Sequence, residues 1–289
     1  MQQELICYKT LPRWNSRTLP AELRAQHNTQ DGSWVQLTIF RGELTFAFLQ
    51  ETGEVISQQP FSPQRQPPRV EPQAWHRIVS SSEDMECQLA FFCRAEDYYH
   101  KKYGLTRTHS EVIAALRHVS PCRALDLGCG SGRNALYLNK MGFDVAACDK
   151  NASGIDSLNA MIKSEGLRRI TAGVYDINEA AIDTQYGFIL STVVMMFLAP
   201  TRIPAIIDNM QQSTLAGGYN LIVAAMSTDD VPCPLPFSFT FKQQELRDYY
   251  RAWEIIKYNE DMGELHKTDA AGNRIKLRFA TLLARKTSA

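Results

Sequence analysis

The spacing of apolar and polar positions changes character once along the chain, near residue 93. Before that point the apolar runs are short. Trp34 to Phe40 and Leu44 to Leu49 are rich in β-branched and aromatic residues and are separated by Arg-Gly-Glu. A turn at Glu51 to Glu54 leads into Val55 to Phe61, and after a proline-rich stretch Trp75 to Val79 and Cys87 to Cys93 follow. Strands at this spacing predict a small sandwich or barrel over residues 1–93. Beyond it, Glu96 to Tyr103 has helical character. Thr108 and Glu111 have the capping-box spacing for a helix over Glu111 to Val119, which must end before Ser120-Pro121.

From Cys122 the pattern alternates. Strand-like runs at Arg123 to Leu127, Asp144 to Cys148, Thr171 to Tyr175, Phe188 to Val194 and Tyr219 to Met226 are interleaved with helical stretches such as Asn134 to Met141 and Ile203 to Leu215. Such alternation predicts a parallel sheet covered by helices on both faces. The end departs from it: Trp253 to His266, a turn at 269–273, and Arg274 to Arg285 predict an antiparallel hairpin closing the sheet edge. The expected division is a β-rich domain at 1–93 and an α/β domain at 94–289.

Composition narrows the partners. With 31 basic and 31 acidic side chains the chain has no net pull toward nucleic acid or an anionic membrane. The longest apolar run, Phe188 to Pro200, is too short to span hydrocarbon and contains Ser191 and Thr192. No secretory signal opens the chain, and the seven cysteines form no CxxC pair, so reduced core thiols in the cytoplasm are expected. His27 and His76 lack the H-x-H and following Glu of a cupin-like metal site, and no metal centre is expected.

The chemistry concentrates at Leu125-Asp-Leu-Gly-Cys-Gly-Ser-Gly132, where the first α/β strand opens into a helix. Its Gly128-x-Gly130-x-Gly132 spacing differs from the G-x-G-x-x-G that seats a pyrophosphate, and the lysine of a phosphate loop is missing. Asp126 is awkward beside a diphosphate but suits a cationic ligand. A nucleoside with a sulfonium and no phosphate, S-adenosyl-L-methionine, fits these features. Asp149 ends the second strand, where a carboxylate accepts from ribose hydroxyls. Asp176 and Ile177, after the third strand, are placed for an adenine amino group and ring nitrogen. Thr192 ends the fourth strand, beside the expected sulfonium. Each aspartate taken alone could equally be a helix cap or a solvated strand end, but four such sites at successive strand ends of one sheet favour a ligand.

Together with Lys102-Tyr-Gly-Leu-Thr-Arg-Thr-His109, Ile189-Leu-Ser-Thr-Val-Val-Met-Met-Phe197, Gly263-Glu-Leu-His266 and Gly272-Asn-Arg-Ile-Lys276, these residues resemble the tellurite-resistance methyltransferases of the TehB type. Glu71-Pro-Gln-Ala-Trp-His-Arg77 extends the resemblance to the longer members with a front domain. It implies a Rossmann-like class I methyltransferase sheet with a C-terminal antiparallel hairpin, behind a small all-β, sandwich- or cupin-like domain. It implies methyl transfer to tellurium or selenium oxyanions, which gives tellurite resistance. An anionic acceptor needs cationic holders. His266, Lys267 and Arg274 on the hairpin are the candidates, with Arg133 nearer the loop and Lys102 and Arg107 as holders of the cofactor carboxylate or as a lid. Arg274, Lys276 and Arg278 also alternate along a strand in the manner of a solvated face. A thiol or another small metabolite as acceptor and a non-catalytic sensor of S-adenosyl-L-methionine are the competing readings. The front domain is expected to have a structural, homo-oligomerising or substrate-gating role.

Overall fold

The structure, a computed structural model, describes residues 4–268 and 270–287, without the side chains of His266 and Lys267. The chain forms two compact units that divide between Leu105 and Thr106.

The N-terminal unit is antiparallel throughout. β7 (Glu86–Cys93) is the hub of one sheet and pairs with β1 (Ile6–Thr10), β2 (Trp14–Asn15) and β3 (Trp34–Arg41). A second sheet has the order β5 (Val55–Phe61), β4 (Leu44–Leu49), β6 (Trp75–Ser81). Alternating side chains of β3, β4, β6 and β7 bury a shared core that includes Val35, Leu37, Ile39, Phe46, Ile78 and Leu89. This is the sandwich form of the small β domain. β1 and β2 lack the dense β-branched pattern of the other strands and were not expected. The unit ends with α1 (Tyr98–Tyr103), which packs on β1 and stops at Gly104 in the left-handed conformation. That packing carries the unit about a dozen residues past the strand end at 93.

The second unit starts with α2 (Ser110–Ala115), followed by β8 (Arg123–Leu127), α3 (Arg133–Lys140), β9 (Asp144–Asp149), α4 (Ala152–Ser164) and β10 (Ile170–Val174). Then come β11 (Tyr186–Thr192), α5 (Ile203–Gln212), β12 (Thr214–Ala225), α6 (Glu245–Tyr249), β13 (Glu254–Thr268) and β14 (Arg274–Arg285). The seven strands pair in the order β10-β9-β8-β11-β12-β14-β13, and β14 alone runs opposite to the other six, so that its pairings with β12 and β13 are antiparallel. The order reverses between β8 and β11, which makes the crevice at their carboxyl ends the topological switch point. Because β14 runs antiparallel to β12, with Ala225 opposite Phe279, its first residues lie at this same end of the sheet.

Two expectations are corrected. The helix expected over Glu111 to Val119 begins at Ser110, with the N-cap one residue beyond Thr108. His109 is its N-cap and accepts the Glu111 amide through Nδ1, while Glu111 reaches across to Lys257 at 2.6 Å. The helix also ends at Ala115 rather than Val119. Among the cysteines, Cys7 is exposed, whereas Cys87, Cys93 and Cys129 are buried. No helix among the described residues is long and apolar enough to cross a membrane.

The parallel sheet contains a buried polar network. Asn220 on β12 accepts from the Thr214 hydroxyl at 2.7 Å and donates to the Tyr250 hydroxyl at 2.9 Å, with all three residues buried. Removing the Tyr250 hydroxyl leaves the buried Asn220 amide without that acceptor. A Tyr250→Phe variant is therefore expected to lose about 1–3 kcal/mol in urea unfolding, and an unchanged midpoint would show that the Asn220 amide is satisfied elsewhere.

Candidate functional site

The loop between β8 and α3 is built by three glycines with positive φ, at 87° for Gly128, 56° for Gly130 and 89° for Gly132. At two of them packing adds a second constraint. A Cβ on Gly128 would lie 2.5 Å from Val194 Cγ2, and one on Gly132 would lie 2.4 Å from Leu158 Cδ1. Gly130 differs, because nothing lies within 4 Å of where its Cβ would be. The loop thus presents one open backbone face between two packed ones. The amides of Gly128 and Cys129 both donate to the Cys148 carbonyl, at 2.8 and 2.9 Å, and the Gly130 amide donates to Asp149 Oδ2 at 2.9 Å. β9 therefore holds the loop in place.

Asp126 lies just before this turn and is fully buried. It accepts from the backbone of Ala135 in the first turn of α3, which makes it a helix cap supplied from a neighbouring strand. Its Oδ2 has no hydrogen-bond partner. Burial pushes its carboxyl up to about 7, against the lowering pull of the Ala135 amide and of Arg133. Arg133 is in turn drawn down by burial, and its Nη1 donates to the Arg107 carbonyl at 3.4 Å.

Asp149 and Asp176 are also engaged by backbone groups. Asp149 Oδ1 accepts the Asn151 amide at 2.9 Å, and Asp176 caps the short helical turn at Ile177–Glu179 through the Asn178 amide at 3.0 Å. The capping alternative therefore holds for Asp126 and Asp176, whereas Asp149 ends its strand with both oxygens accepting loop amides and leaves the cap of α4 to Asn151. Asp176 stays exposed at its strand end, and hydrogen bonds from Asn178 hold its carboxyl below the ordinary carboxylate value. Thr192 is buried, and its hydroxyl accepts from Asn134 Nδ2 at 3.0 Å.

Two contributors have no role in the sequence reading. Asn134, buried on α3, links the His109 amide at 3.0 Å to Thr192 and so ties the first loop of this unit to the end of β11. A lone amide on an otherwise apolar helix face is the signal that marks it. Val193, directly after Thr192, has φ 61° and donates to the Val223 carbonyl at 2.7 Å. A β-branched residue there is strained, and such strain clusters at functional sites. No residue pattern advertises it.

The other expected residues are more scattered. Lys102 belongs to the N-terminal unit, where its ammonium donates to the Tyr98 hydroxyl at 2.9 Å and lies over the Tyr98 and Tyr103 rings. Arg107 is exposed at the start of the second unit. His266 and Lys267 fall within β13, and their side chains lie outside the described residues. Arg274 and Lys276 are exposed and straddle Glu264 across the ladder, at 4.0 and 3.6 Å, as the solvated-face alternative expects. Arg278 is more enclosed: it makes two bonds to Asp230, at 2.9 and 3.3 Å, while its buried Nε has no partner. An apolar cluster of Met196, Ala225 and Leu277, joined by Val193, Cys233 and Phe237, walls this end of the sheet.

A family profile described as tellurite resistance protein TehB matches residues 91–283, and one described as a TehB-like domain matches residues 9–89. A Haemophilus influenzae protein described as probable S-adenosyl-L-methionine-dependent methyltransferase TehB is 55% identical over 286 residues, 99% of this chain and 100% of that one. Hemagglutinin 1 of Eikenella corrodens is 48% identical over 238 residues, 82% of this chain and 79% of its own length. The crystal structure of TehB from Haemophilus influenzae aligns with a TM-score of 0.97 at 55% identity, covering 99% of this chain and 100% of that chain.

Asp126 should imprint itself on stability. Its folded value of about 7 lies above its ordinary 3.8, so between the two the folded chain binds more protons than the unfolded chain. Stability from this group is complete at low pH and falls as pH rises through that interval. Asp126→Asn keeps an acceptor for the Ala135 amide. Urea unfolding across the interval is expected to show that part of the slope gone in the variant; an identical slope would assign it to other groups.

Proposed function

The chain belongs to the TehB family of tellurite resistance proteins, and on that premise we propose that it methylates tellurium or selenium oxyanions from S-adenosyl-L-methionine. The observation that carries the cofactor reading is the pairing of the open Gly130 face with the unpartnered, buried Asp126 oxygen. A backbone without Cβ interference admits a nucleoside close to the sheet, and a buried carboxylate oxygen lacking a donor suits a cationic ligand. When bound, the cofactor supplies an electrophilic methyl on a positively charged sulfur that departs as a neutral thioether.

The remaining work falls to the chain. Asp149, fixed by its bonds to the Gly130 and Asn151 amides, has carboxylate lone pairs left for ribose hydroxyls. Asp176 and the Ile177 amide take the adenine edge. Thr192, held by Asn134, sets the floor beside the reacting methyl. Tellurium(IV) and selenium(IV) carry a lone pair that forms the new bond, so no residue has to remove a proton first. Catalysis is then mainly positioning and exclusion of water, to which the Met196, Val193 and Phe237 wall contributes. The acceptor's charge is met by the start of β14, chiefly Arg274, with His266 and Lys267 on the facing strand.

The decisive assay follows conversion of S-adenosyl-L-methionine to S-adenosylhomocysteine with tellurite, selenite and a panel of thiols as separate acceptors. Oxyanion-dependent turnover is expected. Arg274→Ala should lower kcat/KM about tenfold, the value of one charge-assisted hydrogen bond, while leaving cofactor affinity unchanged. Asp149→Ala should instead weaken cofactor binding. Turnover with thiols alone would discard the oxyanion, and cofactor binding without turnover on any acceptor would favour a sensor.

A further inference from the structure

In the N-terminal unit an isolated antiparallel bridge joins His27 to His76, each donating its backbone amide to the other's carbonyl, at 3.2 and 2.8 Å. The two imidazoles leave this bridge side by side, with ring centroids 4.2 Å apart. The local arrangement is repeated on both strands. His27 Nδ1 lies 2.9 Å from the Ala25 carbonyl, and His76 Nδ1 lies 2.8 Å from the Ala74 carbonyl. A carbonyl only accepts, so Nδ1 carries a proton on both rings, and in the neutral form of each ring Nε2 is an acceptor. Burial of His76 pushes its imidazolium form down to about 4, which keeps that ring neutral at physiological pH. Neither Nε2 has a hydrogen-bond partner among the described residues.

Both rings line a cleft of about 400 Å³ within this unit. Its other polar groups are mainly donors. Lys9 and Lys101 border it, and the Tyr8 and Ser33 hydroxyls, 3.1 Å apart, share one hydrogen bond and leave a second proton to give. The Lys101 ammonium is anchored on the Asp31 carbonyl at 2.6 Å, with two further protons available. No Asp or Glu side chain lines the cleft among the described residues. Two imidazoles whose Nε2 atoms face the cleft beside two ammonium groups make a mixed recognition surface. A fully ionised anion satisfies the lysines but meets lone pairs at the histidines. A metal cation has two ligands and meets repulsion from the lysines, and no group of three or more metal-binding side chains forms among the described residues.

We infer that this cleft is a binding site for a small, partly ionised oxyacid, one that carries negative charge and still keeps an O–H proton. Its O–H donates to a histidine Nε2, and its charged oxygens accept from the lysines and the hydroxyl pair. Hydrogen selenite, hydrogen tellurite and the protonated forms of phosphate share this chemistry, whereas sulfate at neutral pH lacks the O–H. That the natural occupant is the acceptor of methyl transfer rests on the function proposed above. On that reading the N-terminal unit collects the oxyacid that the other unit methylates.

The test uses the full-length chain labelled with ¹⁵N-histidine, without cofactor, titrated with selenite, phosphate and sulfate in turn. The His27 and His76 Nε2 resonances, assigned by His27→Gln and His76→Gln variants, are expected to move saturably with selenite and to stay in place with sulfate. Lys9→Ala, at an exposed position that leaves the core intact, should weaken the selenite titration about tenfold. Tighter binding of selenite than of phosphate supports the acceptor as occupant, and the reverse supports a phosphate site of the same chemistry. Sulfate shifting both resonances as selenite does, or selenite moving neither, overturns the inference. Because the readout is local to two imidazoles, loss of oxyanion-dependent turnover with these shifts intact would count against the proposed function and not against the cleft.

Discussion

At Gly128 and Gly132 the backbone enters the left-handed region while Val194 and Leu158 fill the space that a Cβ would need. Conformation and packing thus exclude side chains independently at both positions. With the loop fixed by the Cys148 carbonyl and by Asp149, α3 starts at a set place and angle. Asn134 then lies within reach of Thr192, and the end of β11 is held against the loop through Val194. The switch-point crevice is therefore defined by one backbone turn, and the residues around it inherit their positions from that turn.

The same turn explains why a carboxylate is buried where solvation is poor. Asp126 satisfies an N-terminal amide of α3 that would otherwise be orphaned, which offsets part of the cost of removing its charge from water. The offset is incomplete, since one oxygen remains unpartnered and burial still raises the carboxyl. A site that keeps such a group tolerates lower stability in its empty state, and a ligand with a positive end restores the missing interaction. At Asp126 capping thus engages the carboxylate without supplying a donor to its second oxygen. At Asp149 both oxygens accept backbone amides and each keeps a lone pair, so holding the loop does not exclude holding a ligand.

Much of this was legible in the residue pattern. The strands at 44–49, 55–61, 123–127 and 274–285 are where apolar runs and turn residues put them, because each is bounded by a glycine- or polar-rich turn. β1 and β2 escaped because short edge strands borrow their stability from β7 and need little pattern of their own. The cap at His109 was misread by one residue because imidazole Nδ1 accepts an amide as a hydroxyl does. The positive φ of Val193 leaves no trace in composition, since tertiary packing imposes it against the residue's own preference. The pairing of His27 with His76 across an isolated bridge was equally invisible, as the two lie 49 positions apart in sequence with no strand pattern at the first.

The hairpin shows how strand direction assigns chemistry. Had β14 run parallel to β12, its charged first turn would face the amino ends of the sheet, away from the glycine loop. Running antiparallel, it carries Arg274, Lys276 and Arg278 to the carboxyl ends instead. These cations are not equivalent. Arg274 and Lys276 share one exposed carboxylate, Glu264, at 4.0 and 3.6 Å, and pairs of that kind contribute only about 0–1 kcal/mol. Either can leave Glu264 for an incoming anion at little cost, and the trio carries a net positive charge throughout. Arg278 is one-fifth exposed and holds Asp230 through two bonds, so exchanging that partner would leave a half-buried guanidinium to be resolvated. The outer two cations are thus suited to capture and release, and the inner one to fixing the Asp230 loop against the sheet.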